Sequence, residues 1–199
     1  MTKEDKIKQK EAIKNLKAIE RTKEKKLVDF KWIYKIIFIT FSISLLMSFA
    51  SGVTIPSVPT VIGVLVVLVF ILLGVVFDMI GVSVTASNLS VFNSMSSRKV
   101  KGAKLAVKFK QNADKVSSFC NDVIGDICGV VSGSCCITIA TNLSNTFNLN
   151  YLLCSLLVTS IVSAMTIGGK AIGKNIAINK SDIILYKFCL FINKFWKVK

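Results

Sequence analysis

Three aspartates lie in stretches of the sequence that are otherwise apolar. Asp78 falls inside a long aliphatic run, and Asp122 and Asp126 open another apolar stretch four residues apart. A charged side chain near the centre of a bilayer costs about 2.5–3.5 kcal/mol on insertion scales, so each one needs a partner or a function. Carboxylate oxygens in such a place favour binding of a hard cation, and Mg²⁺ prefers oxygen ligands of this kind.

Hydroxyl groups follow Asp78 along the same segment. Ser83, Ser87, Ser90 and Ser94 recur at helical spacing and share one face. We therefore expect the metal ligands to be Ser87, Ser90, Asp126, Asp78 and Asp122. Two other interpretations stay open: the hydroxyls can bond to their own backbone or across helices, and an acid at the start of a helix is stabilised by the helix dipole.

A stripe of glycines lies beside the second pair of acids. Gly125, Gly129 and Gly133 recur every fourth residue, a tandem Gly-x-x-x-Gly pattern. Such a stripe lets another helix approach closely in a membrane. The pattern predicts a helix-packing surface and directs Asp126 toward a helix–helix seam. It also favours a homodimer.

Composition excludes most enzymes. The chain has no His, and its four Glu all lie within the first 24 residues. Without these groups we can assemble no nucleophile with a base in reach, so we expect no enzyme. The six Cys form no Cys-x-x-Cys pair and are expected to be small packing residues.

The elements that position these residues are four apolar stretches. The chain is 52% hydrophobic, and a span needs about 20 residues. We expect an all-α polytopic membrane protein with spans near 32–55, 58–86, 121–141 and 151–169. A basic cytoplasmic helix over 1–31 should precede them, and an interfacial amphipathic helix over 178–199 should follow.

The basic residues predict the orientation in the cell membrane. All 26 Lys and Arg fall in three segments, whereas the loops near Pro56 and at 142–150 have none. The positive-inside rule then puts both the N and C termini in the cytoplasm. The formal charge of +15 favours contact with anionic headgroups of the lipid bilayer rather than nucleic acid. A pore-forming role of the holin type is a further alternative.

Three segments carry a resemblance to a known family. Residues 102–118 (GAKLAVKFKQNADKVSS), 124–129 (IGDICG) and 169–188 (GKAIGKNIAINKSDIILYKF) resemble, in order, segments of the CNNM/CorB-type transmembrane domain. The resemblance extends over roughly residues 60–195. It implies a homodimeric module for Mg²⁺ or Co²⁺ transport, with Mg²⁺ transported or bound.

The chain departs from the family pattern at several positions. The family's Glu in the last span falls on Lys170, its Pro on Gly173, and its Asn on Asp126. The Glu of a Ser-x-Glu pattern has no counterpart in residues 86–92. The paired nucleotide-sensing CBS domains of the family also have no counterpart in this sequence, so we expect a separate chain to supply the regulation.

Lys170 leaves two hypotheses open. Its ammonium, near a seam that carries Asp126, can replace the bound cation by pairing with that acid, which makes the chain a degenerate, non-transporting scaffold or regulator. Alternatively, its long side chain can snorkel to the headgroup phosphates and leave the oxygen ligands to a metal ion.

Overall fold

A computed structural model describes residues 30–54 and 59–195. The predicted basic helix over 1–31 therefore lies almost entirely outside the described residues, as does the end of the predicted interfacial helix. The described helices are α1 (Phe30–Thr54), α2 (Thr60–Ala86), α3 (Leu89–Ser97), α4 (Ala103–Gln111), α5 (Ala113–Ser118), α6 (Gly125–Phe147), α7 (Tyr151–Asn179) and α8 (Ser181–Phe195). A π-helical segment, Phe119–Ile124, joins α5 to α6.

Four helical stretches are long and apolar enough to cross a bilayer. They run over Phe30–Ala50, Thr60–Ala86, Ala113–Phe147 and Tyr151–Asn179. The described residues form only helices, turns and loops. The chain is therefore an all-α polytopic membrane protein, as its composition and apolar stretches predict.

Helix α1 is described by itself, because it runs across two compact units of the chain, 1–39 and 40–199. Its apolar side chains, including Phe41, Leu45 and Phe49, are largely exposed. A helix that is apolar around its circumference suits a lipid environment, where exposure of such side chains has no hydrophobic cost.

Helices α2, α6 and α7 pack against one another in the second unit. Val67 and Ile71 of α2 and Val131 and Ile139 of α6 are buried. Because lipid tails are as apolar as these side chains, close packing and small residues, rather than hydrophobicity, favour the helix contacts.

The third apolar stretch is helical from Ala113 to Phe147, longer than the predicted 121–141. It contains α5, the π-helical segment and α6. The helix ends at Asn148, which has a left-handed backbone conformation (φ 52°) and is a common C-terminal residue type for a helix. The two acids Asp122 and Asp126 consequently sit within a continuous helical stretch rather than at its beginning.

The fourth stretch also exceeds its predicted end. Helix α7 begins where the Asn150 side chain accepts a hydrogen bond from the Leu152 amide (2.9 Å) and runs past Gly169 to Asn179. Gly169 and Gly173 do not end the helix because both pack against α2, which offsets the low helix propensity of glycine.

Helix α8 is present within the predicted C-terminal segment, and one of its faces packs against protein. Leu185 and Cys189 are fully buried in a cluster with Val84 of α2, Phe92 of α3 and Leu105 of α4. Burial raises the pKa of the Cys189 thiol to about 12, which fits the packing role expected of the cysteines. Contact of the other face of α8 with headgroups stays a prediction.

Candidate functional site

Two glycines of α2 bring it close to the third apolar stretch. Gly74 and Gly81 are seven residues apart and therefore share one helical face. A Cβ atom at Gly74 would lie 3.3 Å from the Cβ of Cys128, and a Cβ at Gly81 would overlap the side-chain amide of Asn121. Neither position has room for a larger residue without movement of its neighbour.

Asp78 lies on this same face of α2. It is four residues after Gly74 and three before Gly81, and it is partly buried. The glycine contacts on either side of it put this face of α2 against the third stretch. Asp78 therefore lies on the face of α2 that contacts the third stretch, within a helix long and apolar enough to cross a bilayer, where a charge is costly.

Asn121 lies in the π-helical segment opposite Gly81. Its Nδ2 donates to the Ser117 hydroxyl at 3.4 Å, whereas its Oδ1 is enclosed and has no hydrogen-bond partner among the described residues. An unsatisfied buried acceptor costs about 1–3 kcal/mol, and π-helical segments occur frequently at functional sites. The Asn121 oxygen is a ligand-type atom that the sequence prediction missed; its one sequence signal is an amide beside Asp122 at membrane depth.

Lys170 approaches the same region from α7. Its Nζ lies 3.7 Å from the position that a Cβ of Gly125 would take. The side chain is partly buried. An ammonium group thus lies beside Gly125, where α6 and α7 meet. Gly125 is one helical turn before Cys128, the residue that faces Gly74.

The α7 side of the junction is also built on glycine. A Cβ at Gly169 would lie 2.9 Å from Val75 Cγ2, and one at buried Gly173 would lie 2.8 Å from Met79 Cγ. Gly173, at the position of the family's Pro, therefore serves as a close contact with α2. Because Val75 and Met79 flank Asp78 along α2, the carboxylate lies at the height of these contacts.

The predicted packing stripe divides between two surroundings. Gly125 is buried near Lys170, but Gly129 and Gly133 are exposed and nothing would lie within 4 Å of an added Cβ. They line an open groove of about 310 Å³ between α6 and α7, together with Ser132, Cys136, Thr159 and Ser163. Among the described glycines, Gly74, Gly81, Gly169 and Gly173 make the close contacts between these spanning helices instead.

The two acids beside this stripe do not join Asp78. Asp122 and Asp126 are both exposed, so Asp126 does not face the contact between α2 and α6. Among the described residues, no group of three or more Cys, Asp or Glu could hold a metal ion. The five predicted ligands are not brought together at one point.

The predicted serine ligands make hydrogen bonds at the end of α2. The Ser87 hydroxyl donates to the Val84 carbonyl at 3.1 Å, and the Ser90 hydroxyl donates to Asn88 Oδ1 at 3.0 Å. Asn88 Oδ1 also accepts from the Ser90 amide at 3.1 Å, as an N-terminal cap of α3. The Ser87 hydroxyl thus follows the backbone alternative that the sequence left open, and the Ser90 hydroxyl bonds to a side chain within the N-terminal cap of α3.

The chain matches no protein-family model, no curated protein and no solved structure. The resemblance to the CorB-type transmembrane domain therefore rests on the motifs in the sequence.

Proposed function

We propose that this chain is a CorB-like membrane module that binds and transports a divalent cation, Mg²⁺ or Co²⁺. The observation that carries the proposal is that the enclosed, unpartnered Oδ1 of Asn121 lies against Gly81 of α2, one helical turn after the partly buried Asp78 on the same helix face. Both are oxygen ligands suited to Mg²⁺, which keeps several of its own waters when bound by few protein groups.

The cation would satisfy both groups at once. It would neutralise a carboxylate at membrane depth and give the Asn121 oxygen an electropositive partner. The proposed mechanism is alternating exposure of this oxygen-lined site as α2, α6 and α7 shift at their glycine contacts. Of the five ligands predicted from the sequence, this proposal keeps only Asp78, and it adds Asn121.

Lys170 favours a second candidate function. Its ammonium near Gly125 can neutralise the Asp78 region in place of a metal ion, which would make the chain a non-transporting membrane scaffold or regulator. Under this alternative, Lys170→Glu creates or strengthens divalent-cation binding. Unchanged binding of Mg²⁺ by that variant, measured by calorimetry in detergent, would count against the pairing.

The decisive experiment is Mg²⁺ uptake into proteoliposomes that enclose a fluorescent indicator. We expect Asp78→Asn to reduce the initial rate about tenfold or more, since loss of a charge beside a cation is worth roughly 1.4 kcal/mol or more. Asp126→Asn is the matched control, because it removes the same charge from an exposed position, and it should leave the rate unchanged.

Two outcomes would contradict the proposal. Flux through the folded wild-type protein that equals the leak of protein-free vesicles would favour the scaffold. An equal loss of rate in Asp78→Asn and Asp126→Asn would show that Asp78 has no special role.

The proposal also includes partners and an orientation. The protein would lie in the cell membrane with both termini in the cytoplasm and its basic segments against anionic headgroups. A homodimer is supported by the open groove at Gly129 and Gly133, which offers small residues to a second helix. A separate regulatory chain completes the set of proposed partners.

A further inference from the structure

A second polar feature is a cavity at the turn between α3 and α4, against the end of α8. It has a volume of about 460 Å³. Its lining residues include Lys99, Lys101 and Lys104, together with the polar residues Ser96 and Asn193. Three cationic residues thus line one concave surface.

The positive charge of this cavity has no acidic counterpart in its lining. None of the residues that line it is Asp or Glu, and the sequence has no acid between Asp78 and Asp114. On α8, Asp182 lies at the opposite end of the helix from Asn193, and its Oδ1 already accepts a hydrogen bond from the Asn88 amide at 2.9 Å. An anion from outside the chain would therefore be attracted to the cavity.

The backbone at the cavity adds to its positive potential. Helix α4 begins after Gly102, whose left-handed φ of 81° and close approach to Leu190 favour glycine. Lys104 and Leu105, in the first turn of α4, line the cavity. The N-terminal end of the helix dipole therefore lies beside the three lysines and adds to their attraction for an anion.

We propose that this cavity binds a phosphate group, carried either by an anionic lipid headgroup or by free phosphate. Lysine ammonium groups and serine and asparagine donors are suited to phosphate oxygens. The volume exceeds what a single phosphate needs, so a glycerol phosphate headgroup also fits. The proposal does not depend on cation transport, because none of the cavity residues contributes to the Asp78 contact.

Binding can be measured on the full chain in neutral detergent micelles. The probes are dioctanoyl phosphatidic acid and inorganic phosphate, each titrated by microscale thermophoresis. We expect the double variant Lys101→Gln/Lys104→Gln to bind about 30-fold more weakly, roughly fivefold for each cation removed. The matched control, Lys174→Gln/Lys187→Gln, removes two exposed lysines outside the cavity and should change binding less than about threefold, the residual effect of net charge.

The outcomes distinguish the source of the phosphate. Weaker binding of the short-chain lipid alone supports a lipid headgroup, whereas weaker binding of both probes supports recognition of the phosphate itself. Equal weakening by the two double variants would overturn the proposal in favour of diffuse surface attraction. Failure of the wild-type chain to bind either probe would also overturn it. Circular dichroism and gel filtration of each variant check that the fold is retained, as the exposure of Lys101 and Lys104 predicts.

Discussion

Gly81 and Gly129 are both glycines of membrane-spanning helices, but their surroundings are opposite. A methyl group at Gly81 would overlap the Asn121 amide, whereas nothing lies within 4 Å of one at Gly129. Overfilling a close contact forces neighbours to shift, typically at about 1–3 kcal/mol. At Gly81 the neighbour forced to shift would be Asn121, whose Oδ1 has no hydrogen-bond partner among the described residues.

We expect Gly81→Ala to lower the free energy of unfolding by about 1–3 kcal/mol, and Gly129→Ala to leave it unchanged or raise it by up to about 1 kcal/mol, the gain in helix propensity. Unfolding by sodium dodecyl sulfate, followed by circular dichroism, measures both. The added variant Asn121→Ala should restore much of the loss in the double variant, because it removes the overlapping group. A destabilisation in Gly129→Ala equal to that in Gly81→Ala would contradict the packing described.

Single residues also separate what spacing predicts from what contacts decide. The spacing of Ser87 and Ser90 predicts one helical face, but α2 ends at Ala86 and the backbone is extended at Ser87 and Asn88. The two hydroxyls bond to Val84 and Asn88. The backbone at a helix end leaves carbonyls without partners, and nearby hydroxyls satisfy them at lower entropic cost than a distant site does. Asn121 shows the reverse, since nothing in its spacing marks it as enclosed.

The end of α2 is the element at which several segments meet. Lys110 of α4 donates from Nζ to the carbonyls of Val84 at 3.1 Å and Thr85 at 2.7 Å. A cation at a helix C-terminus interacts favourably with the dipole and satisfies terminal carbonyls. Asp182 of α8 accepts a hydrogen bond from the amide of Asn88, two residues beyond the same helix end. Polar contacts therefore join α4 and α8 to the C-terminal end of α2.

We expect Lys110→Gln to lower the free energy of unfolding by roughly 0.5–2 kcal/mol, because it removes a charge from the end of α2 and leaves two carbonyls with a weaker donor. Lys108→Gln is the control, since Lys108 is exposed on the same helix and loses only its charge. Thermal unfolding in detergent compares the two. Equal stability of both variants would mean that the Lys110 contact adds nothing.

The whole molecule has its charges on segments that alternate with uncharged loops. The segment 142–150, which includes the end of α6 and the loop before α7, has no Lys or Arg. Lys101, in contrast, belongs to the basic connection between α2 and α5. Under the proposed orientation, the loop at 142–150 and Lys101 lie on opposite sides of the membrane.

We expect a cysteine at position 145, introduced as Asn145→Cys, to react from outside intact cells with a membrane-impermeant maleimide. Lys101→Cys should react only after the cells are opened. Both positions are exposed, and the six native cysteines are buried, which keeps the background low. Labelling of Lys101→Cys in intact cells would contradict the proposed orientation.

The sequence by itself determined the membrane class and the four apolar stretches, because the length and hydropathy of a span follow directly from bilayer thickness. It also predicted that Asp78 lies at membrane depth. Only the tertiary structure decided which glycines are in contact, since Gly129 and Gly133 have the same pattern as residues that pack, yet they face an open groove. It likewise left Asp122 and Asp126 exposed, and it placed Asn121 against Gly81 and Lys170 beside Gly125. Rotation of a helix about its axis depends on its neighbours, and a stretch that is apolar on all sides carries little information about which side they occupy.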